Sequence, residues 1–271
     1  MPRIAVLQMT SGIDPEANFA AIESGAKEAR AGGAEMLFAP EMALLLDRNR
    51  ERAGQHIDSD AARTWPQRLA KIAEENGIYL IVGAPVAGRN DKRLNRLWVC
   101  PPSRETPYAY DKMHMFDVDL ASGESWKESN AYEAGSAVGV CEDTPVGKLG
   151  LAICYDMRFP ALFEALGRRK CDCIAIPAAF TRPTGAAHWH VLLRARAIEA
   201  SAFVVAAAQV GTHEDGRETY GHSLVIDPWG EVLLDIGGEG PGLGFADIDL
   251  DRIEAVRRQV PSLANRRAIP S

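Results

Sequence analysis

The chain has 271 residues, of which 46% are hydrophobic and 25% are charged. This length can bury a substantial core, and the composition is typical of a globular protein rather than of a disordered chain or an integral membrane protein. The formal net charge is -7, and the basic residues are scattered without a lysine or arginine run. Both features argue against a nucleic-acid partner, because the chain would repel a polyanion.

Cysteine usage and the first residues indicate the compartment. The number of cysteines is odd, and a chain of this size does not need disulfides to hold its fold. The apolar run at residues 4–7 is too short for the core of a signal peptide, and no apolar run reaches membrane-spanning length. We therefore expect a cytosolic protein without a disulfide framework. The cysteines are Cys100, Cys141, Cys154, Cys171 and Cys173.

Short apolar segments rich in β-branched residues alternate with helical patterns along the chain. The apolar segments are typical of buried strands. We predict strands at residues 4–9, 36–39, 79–82, 149–154, 173–176, 203–210 and 224–226. We predict helices at residues 17–31, 61–75, 160–169 and 186–202. This alternation favours an α/β fold.

The second half of the chain adds consecutive strand-like segments without helices between them. They cover residues 221–227, 231–236 and 243–248, and glycine-rich turn sequences separate them. The sheet should become partly antiparallel here. Because no repeat, low-complexity segment or linker divides the chain, we predict one domain over residues 1–271.

Cys154 stands where a predicted strand ends, shortly before a helix predicted to begin at Pro160. A cysteine on a strand-to-helix turn is held at a sheet edge, where a neighbouring backbone N–H can point at an oxyanion. This is favourable geometry for a nucleophile. An isolated cysteine is more often a small buried hydrophobic residue, so the turn by itself does not decide between the two interpretations.

A catalytic cysteine needs a base or a cation nearby, because the thiolate rather than the thiol attacks a carbonyl. The histidines form no persuasive pair with a cysteine in the sequence. Glu41 follows an apolar segment and Pro40, so its carboxylate should emerge at a strand end, where a dry pocket would raise its pKa. Lys112 also follows an apolar run. Taken singly, a helix-initiating glutamate and a surface lysine are the ordinary interpretations of these residues.

Taken together, the segments around Glu41, Lys112 and Cys154 resemble the Glu-Lys-Cys triad motifs of the nitrilase superfamily in order and spacing. The resemblance covers nearly the whole chain, and several independent motifs carry it. They are the strand ending in Gln8 and residues 40–41, 111–114, 116–119, 154–160, 185–189, 194–199 and 220–223.

The resemblance implies a four-layer α-β-β-α sandwich with mixed sheets, which commonly pairs into homodimers or higher homo-oligomers. It implies that Cys154 is the nucleophile and Glu41 the general base. Lys112 would stabilise the thiolate and then the oxyanion, assisted by the backbone N–H of Tyr155. The family places a second glutamate beside the triad, and the matching position here is Glu128, which would orient Lys112 and the substrate nitrogen. No metal or cofactor is required.

The implied reaction is hydrolysis of a terminal carboxamide of a small 2-oxo acid, through a thioester and with release of ammonia. The C-terminal half most resembles the deaminated glutathione amidase branch, a metabolite-repair activity, through residues 188–199, 206–209, 220–223 and 227–230. An omega-amidase acting on 2-oxoglutaramate, a nitrilase and an N-carbamoyl hydrolase share the same nucleophile, so the triad does not separate them. A binding or regulatory module on the same fold is the non-enzymatic alternative, against which the intact triad argues.

A 2-oxo acid also needs an anchor for its carboxylate. Arg182 and Thr184 come just after the predicted strand at residues 173–176, where ligand-contacting residues of α/β folds collect. We therefore predict that both residues contact the small-molecule substrate. A solvent-facing loop arginine is an equally open interpretation of Arg182.

Two other groups of residues suggest different chemistry. Cys171 and Cys173 with His188 and His190 supply zinc-ligand types, but the two histidines open a predicted helix, where positions two apart do not share a face. Ser223 lacks the Gly-x-Ser-x-Gly turn of a serine hydrolase. We predict structural roles for both groups and no metal site.

Overall fold

The computed structural model describes residues 1–103, 106–119 and 125–268. The strands are β1 (Arg3–Gln8), β2 (Met36–Phe38), β3 (Tyr79–Ala87), β4 (Arg93–Cys100), β5 (Tyr108–Asp111), β6 (Asp117–Asp119), β7 (Ser125–Lys127), β8 (Gly139–Thr144), β9 (Gly147–Leu151), β10 (Cys173–Ala175), β11 (Phe203–Ala206), β12 (Val210–Thr212), β13 (Glu218–Tyr220), β14 (Leu224–Ile226), β15 (Val232–Asp235) and β16 (Gly242–Asp247). The α-helices are α1 (Pro15–Ala31), α2 (Arg50–Ile57), α3 (Asp60–Arg63), α4 (Trp65–Asn76), α5 (Pro160–Arg168), α6 (Arg182–Ala200) and α7 (Leu250–Gln259).

Two six-stranded mixed sheets organise the chain. Sheet 1 has the order β16-β1-β2-β3-β4-β5, and sheet 2 has the order β15-β14-β11-β10-β9-β8. The central strands β1, β2 and β3 run parallel, as do β9, β10 and β11. The outer strands pair antiparallel, including β14 with β15. The prediction that the sheet becomes partly antiparallel towards the C-terminus is therefore confirmed.

The side-chain alternation of sheet 1 separates two cores. Ile4 and Val6 belong to the core shared with sheet 2, whereas Ala5 between them belongs to the core under the helices of the N-terminal half. In β2, Phe38 belongs to the core shared with sheet 2, and Leu37 belongs to the core under the helices. Because successive strand residues point to opposite faces, one face of sheet 1 packs on sheet 2 and the other on helices.

The helices form the two outer layers. Buried residues of α1, α2 and α4 pack on the outer face of sheet 1. Buried residues of α5 and α6 pack on sheet 2, where Gly150 of β9 faces the side chain of Leu166 in α5. The order of layers is helices, sheet 1, sheet 2 and helices. The predicted α-β-β-α sandwich with mixed sheets is confirmed.

Several element boundaries differ from the sequence prediction. The strand predicted at residues 149–154 ends at Leu151, and a 3₁₀ turn occupies Cys154–Arg158. The segment 203–210 divides into β11 and β12, and the helix predicted at 61–75 divides into α3 and α4 next to Pro66. Pro66 has no N–H to donate to the carbonyl four residues earlier, so a continuous helix is interrupted here, and α4 begins with the proline in its first turn. Strands β4 to β8 and β13 and helices α2 and α7 were not predicted, since polar residues interrupt or dominate these segments.

None of the helices in the described part of the chain is both long and apolar enough to cross a membrane.

Candidate active site

A cavity of about 460 Å³ opens at the ends of strands from both sheets. This volume lies in the range of small-molecule binding sites. Glu41, Lys112, Glu128 and Cys154 all line it. The sequence predicted these four residues from separate segments, and the fold brings them to the same place.

Glu41 lies three residues after the end of β2 and is buried. The next residue, Met42, has a positive φ of 56°, so the chain turns sharply at this point. One carboxylate oxygen of Glu41, Oε1, accepts a hydrogen bond from Asn95 Nδ2 at 2.7 Å. The other, Oε2, accepts one from the backbone N–H of Ala179 at 2.7 Å. These donors fix the orientation of the carboxylate.

Lys112 follows β5 directly and is only 2% exposed. Its Nζ lies 3.1 Å from Glu41 Oε1 and 3.0 and 2.9 Å from the two carboxylate oxygens of Glu128. Glu128 opens a 3₁₀ turn and accepts a further hydrogen bond from the N–H of Phe116 at 2.6 Å. The ammonium is therefore held between two carboxylates, one of which is the glutamate that the family resemblance placed beside the triad.

Cys154 begins the 3₁₀ turn that follows β9 and is 8% exposed. Its φ is 47°, in the left-handed region that residues other than glycine seldom adopt. Its backbone N–H donates to the carbonyl of Pro177 at 2.9 Å. Such local strain persists only where the surroundings impose it, and it is concentrated at functional sites. Tyr155 is the second residue of this turn, so its N–H belongs to the first helical turn, where no partner exists within the helix.

Asp156 ties the cysteine turn to the lysine segment. This carboxylate is fully buried and accepts hydrogen bonds from Tyr110 Oη at 2.8 Å, the N–H of Ile153 at 2.9 Å and the N–H of His114 at 3.0 Å. The ring of His114 lies 2.7 Å from the same carboxylate and stacks on Phe159. The segments that carry Cys154 and Lys112 are thus fixed relative to each other.

Electrostatics set the protonation of the resting site. Burial acts to raise the pKa of Glu41, but the Lys112 ammonium and hydrogen bonds from Cys154, Asn95 and Ala179 outweigh it, so the pKa is lowered. Burial and the Glu41 charge raise the pKa of the Cys154 thiol well above its ordinary value, although Lys112 acts in the opposite direction. Burial acts to lower the pKa of Lys112, but Glu128 and Glu41 raise it well above its ordinary value.

The resting site therefore holds a Glu41 carboxylate, a Lys112 ammonium and a Cys154 thiol. The sequence prediction that a dry pocket raises the pKa of Glu41 was wrong. Burial alone has that effect, but a buried cation and oriented donors favour the charged form more strongly.

The predicted substrate-contacting residues lie in different places. Tyr155 and Thr184 line the cavity. Arg182 does not: it is the first residue of α6, is exposed, and is absent from the cavity lining. The sequence pattern located the loop correctly, but the helix begins at Arg182 rather than at residue 186. We therefore do not assign the carboxylate anchor to Arg182.

The fold separates the residues considered as zinc ligands. Cys171 and Cys173 are buried without a disulfide, and the ring of His188 lies 3.3 Å from the guanidinium of Arg158. His190 instead contacts Asp235 at 3.0 Å, in a group that also includes His222. These last three side chains connect α6 to the end of β15.

Comparison with known proteins identifies the family. A family model described as carbon-nitrogen hydrolase matches residues 3–258. The chain belongs to this family. Its fold is the one that the resemblance to the nitrilase superfamily predicted.

Individual relatives of this carbon–nitrogen hydrolase cover almost its full length. It is 40% identical over 267 residues to a deaminated glutathione amidase of Synechocystis sp. (strain PCC 6803 / GT-S), a match that covers 97% of each chain. The structure of the NitFhit protein of C. elegans matches with a TM-score of 0.89 and 36% sequence identity. The match covers 98% of this chain but only 65% of the NitFhit chain. Nit3 of Saccharomyces cerevisiae, a member of branch 10 of the nitrilase superfamily, matches with a TM-score of 0.84 and 26% sequence identity. This match covers 96% of this chain and 94% of the Nit3 chain. The resemblance to this superfamily is confirmed.

Sequence reasoning missed the residues that orient the candidate catalytic groups of this hydrolase. Asn95 lies within β4, an unpredicted strand, and its amide donates to Glu41 and, at 3.4 Å, to Glu128. Gln209 donates to the backbone carbonyl of Glu41 at 3.0 Å and to Ser11 Oγ at 2.8 Å. A buried polar residue in an apolar segment was the available signal at both positions, but nothing in the sequence says what such a residue contacts.

Proposed function

We propose that this carbon–nitrogen hydrolase is an amidase that hydrolyses deaminated glutathione through a thioester on Cys154. The observation that carries the proposal is the buried Lys112, which bridges Glu41 and Glu128 in the cavity that Cys154 also lines. The substrate is proposed from the similarity to relatives named deaminated glutathione amidase.

In the first step the Glu41 carboxylate takes the thiol proton of Cys154 while the sulfur attacks the amide carbon. The carbonyl π electrons move to the oxygen and form a tetrahedral oxyanion. The Lys112 ammonium and the backbone N–H of Tyr155 stabilise this charge. The hydrogen bond between Cys154 and Glu41 prepares the proton transfer, so no standing thiolate is needed.

In the second step the tetrahedral intermediate collapses. The carbon–nitrogen bond breaks as protonated Glu41 gives its proton to the leaving nitrogen, which leaves a thioester on Cys154. Glu128 holds Lys112 and orients the nitrogen. Glu41 then takes a proton from a water that attacks the thioester, and it returns this proton to the departing sulfur. The cycle ends with the acid product and the original thiol.

The leaving group needs a correction to the sequence-based expectation. Deaminated glutathione is glutathione whose free amino group is replaced by an oxo group. The nitrogen of its γ-amide carries cysteinylglycine, so hydrolysis gives 2-oxoglutarate and cysteinylglycine. Ammonia release applies to 2-oxoglutaramate, whose amide nitrogen is unsubstituted. Returning both products to metabolism is what a metabolite-repair role would require.

The purified protein should be compared on deaminated glutathione and 2-oxoglutaramate at matched concentrations. We expect a higher kcat/KM for deaminated glutathione, with equal yields of 2-oxoglutarate and cysteinylglycine, because the cysteinylglycine part supplies remote binding energy. A specificity constant that is equal or higher for 2-oxoglutaramate would favour the omega-amidase assignment. Turnover of neither compound, with hydrolysis of a nitrile or an N-carbamoyl amino acid, would reject both assignments.

Cys154→Ser is the matched control for this experiment. An alcohol has a far higher pKa than a thiol, so the same carboxylate and lysine cannot activate it. We expect no measurable turnover, an unchanged thermal unfolding midpoint and, in the wild type only, stoichiometric alkylation at residue 154. Near-wild-type turnover by the serine variant would exclude Cys154 as the nucleophile.

We also propose that the protein forms homodimers or larger homo-oligomers. Large apolar side chains are exposed on α6, in the turn before β15 and on β15, the edge strand of sheet 2. An exposed apolar edge strand tends to associate unless another surface covers it. We call these side chains the apolar patch; they are Val191, Ile198, Trp229, Val232 and Leu233.

A reducing compartment such as the cytosol is our proposal for where the protein works. All five cysteines are unpaired and buried, which is the state expected where thiols are kept reduced. The nucleophile itself requires this condition, because oxidation of the Cys154 thiol would end catalysis.

A further inference from the structure

Two arginines flank one tryptophan in the wall of the active-site cavity. Arg48 lies between β2 and α2, Arg217 lies between β12 and β13, and Trp126 lies in β7. The guanidinium carbons of Arg48 and Arg217 are 5.6 and 5.1 Å from the centre of the Trp126 ring. All three residues line the cavity. We call Arg48 and Arg217 the arginine pair.

A buried carboxylate holds the arginine pair in place. Asp215 has a fully buried side chain. Its carboxylate accepts hydrogen bonds from the backbone N–H of Arg48 at 2.8 Å and from the backbone N–H of Arg217 at 2.9 Å. It also accepts a hydrogen bond from Nη2 of Arg217 at 3.1 Å. The Nε of Arg217 is buried and has no hydrogen-bond partner among the described residues. A buried donor of this kind is costly unless a ligand acceptor satisfies it.

The carboxylates of the cavity do not cancel this positive charge. Asp47 also lines the cavity, but Arg52 binds it with two hydrogen bonds of 2.6 and 2.9 Å. Burial acts to raise the pKa of Asp47. This effect is outweighed by Arg52, the N–H of Asn49 and the charge of Arg217, so the pKa is lowered. Glu41 and Glu128 are bound to Lys112. The three guanidinium groups of Arg48, Arg52 and Arg217 thus exceed the two carboxylates of Asp47 and Asp215 by one positive charge, which favours binding of an anion by the arginine pair.

We propose that the arginine pair is the site that binds the carboxylate of the 2-oxo acid, on the acyl side of the scissile amide. This inference rests on the proposed function and assigns to Arg217 the anchoring role that the sequence suggested for Arg182. The Arg217 side chain is only 16% exposed, which suits the acyl part that stays bound in the thioester. The leaving peptide must exit through the open mouth, where Arg48 is 48% exposed.

Recognition would combine the guanidinium of Arg217 with the aromatic wall of Trp126. A guanidinium pairs with a carboxylate through parallel N–H donors, and Nε is the donor that remains available at Arg217. Tyr132 also lines the cavity; burial raises the pKa of its hydroxyl, and the charges of Glu128 and Arg217 both act on that pKa, so both side chains lie near Tyr132. The substrate would therefore extend from Cys154 past Tyr132 to Arg217.

The test uses substrates that differ only in one carboxylate. We compare 2-oxoglutaramate with its C1 methyl ester, and deaminated glutathione with the analogue whose glycine ends in a carboxamide. For Arg217→Ala we expect kcat/KM to fall roughly 10- to 100-fold on both acids, mainly through KM, because hydrogen bonds to charged groups are lost. On the methyl ester we expect little change. Arg217→Lys should recover part of the loss, and Arg48→Ala should lose less than Arg217→Ala.

Three results would overturn this assignment. One is an equal loss on acid and ester, which would indicate general misfolding or misplacement. Another is a loss of kcat/KM in Arg217→Ala that is seen with deaminated glutathione but not with its glycine carboxamide analogue. That result would place the carboxylate of the leaving peptide at the arginine pair. The third is a charge-selective loss in Arg182→Ala but not in Arg217→Ala. Arg63→Ala, which removes an exposed arginine paired with Asp60 outside the cavity, is the control for net charge.

A binding measurement separates this inference from the proposed function. 2-Oxoglutarate should protect Cys154 of the wild type against iodoacetamide, and its dimethyl ester should not. Protection should require at least 10-fold more 2-oxoglutarate in Arg217→Ala. If neither amide is turned over but protection behaves in this way, the proposed substrate fails and the carboxylate site stands. Equal protection of both proteins would reject the site.

Discussion

Lys112 shows how single residues determine the chemistry of this site. A buried ammonium loses its hydration, and only well-placed partners compensate for that loss. Glu41 and Glu128 supply three contacts between 2.9 and 3.1 Å, and Asn95 donates to both carboxylates. The two negative charges and one positive charge sum to minus one while Cys154 is a thiol. When Glu41 takes the thiol proton, Glu128 and Lys112 remain as a neutral pair, and the new oxyanion restores the total of minus one, so the net charge of the site does not change in this step.

The pH dependence of kcat/KM follows from the directions of the pKa shifts. The base form of Glu41 is lost only as the pH falls through a value below its ordinary 4.5. The Cys154 thiol loses its proton only as the pH rises well above its ordinary 9.0. We expect a flat profile between about pH 5.5 and 8. An inflection near pH 6.5 in initial-rate measurements would indicate a histidine in the proton transfer and contradict this mechanism.

Lys112→Arg should inactivate the enzyme although it keeps the charge. A planar guanidinium is larger than an ammonium and cannot lie between Glu41 and Glu128 at the same distances. We expect kcat to fall about 100-fold or more, as for loss of an oxyanion-stabilising donor. Steady-state kinetics with unfolding curves would measure this. Lys71→Arg, an exposed position on α4, is the matched control, and an unchanged kcat in Lys112→Arg would remove the lysine from the oxyanion role.

At the scale of elements, short turns after strands position the site. Glu41 follows β2, Lys112 follows β5 and Cys154 follows β9. Two of these turns need left-handed backbone, at Met42 and Cys154. The carboxyl ends of parallel strands meet at one edge of a sheet, which is why residues from separate segments gather there. Rigid strands before each turn hold the reacting groups more exactly than loops would.

Gly83→Ala should disturb the Glu41 turn. Gly83 lies in β3 beside this turn, and an added Cβ would lie 2.8 Å from the Cα of Glu41 and 2.8 Å from the carbonyl oxygen of Pro40. Both are backbone atoms, so Glu41 must shift. We expect a loss of about 1–3 kcal/mol in the free energy of unfolding. A shift of about 1 Å at a catalytic group costs about 100-fold in rate.

Gly240→Ala is the control for this substitution, because its added Cβ would meet open space. Chemical denaturation and kcat measurements on both variants would decide the matter. A Gly83→Ala protein with wild-type kcat would show that the Glu41 turn tolerates the displacement.

At the scale of the whole molecule, buried amides connect the two sheets around the cavity. Gln8 at the end of β1 accepts the N–H and hydroxyl of Ser223, which precedes β14, each at 2.9 Å. Gln209, after β11, accepts from the N–H of Ser11 and donates to the carbonyl of Glu41. These contacts span about two hundred residues of sequence. They make the position of Glu41 depend on the packing of both halves of the chain.

The oligomer proposed above should depend on the apolar patch between α6 and β15. Val191 is 68% exposed there, and Val191→Lys would place a charge in the interface. We expect light scattering to give the mass of at least two 29.4 kDa chains for the wild type, and of one chain for the variant. Val260→Lys, at an exposed valine after α7, should not change the mass. A wild-type protein that stays monomeric at micromolar concentrations would contradict the proposal.

The sequence by itself determined the alternating α/β architecture, and its resemblance to the nitrilase superfamily singled out Glu41, Lys112 and Cys154 as the candidate catalytic residues. Predicted strands such as residues 36–39 and 173–176 are continuous apolar runs, and such a run is visible in the local sequence. The triad segments were recognised because their motifs are also local in sequence. Strands interrupted by polar residues, such as β4 with its buried Asn95, carried no comparable signal.

Only the tertiary structure decided the direction of the Glu41 pKa shift and the identity of the cation at the cavity. The shift depends on Lys112, which lies 71 residues further along the chain, and on the N–H of Ala179, which lies 138 residues further. Arg182 and Arg217 are similar loop arginines in the sequence, yet one faces outward on α6 and the other lies beside Trp126. Electrostatic interactions depend on distance in space, and sequence spacing does not report that distance for residues in separate segments.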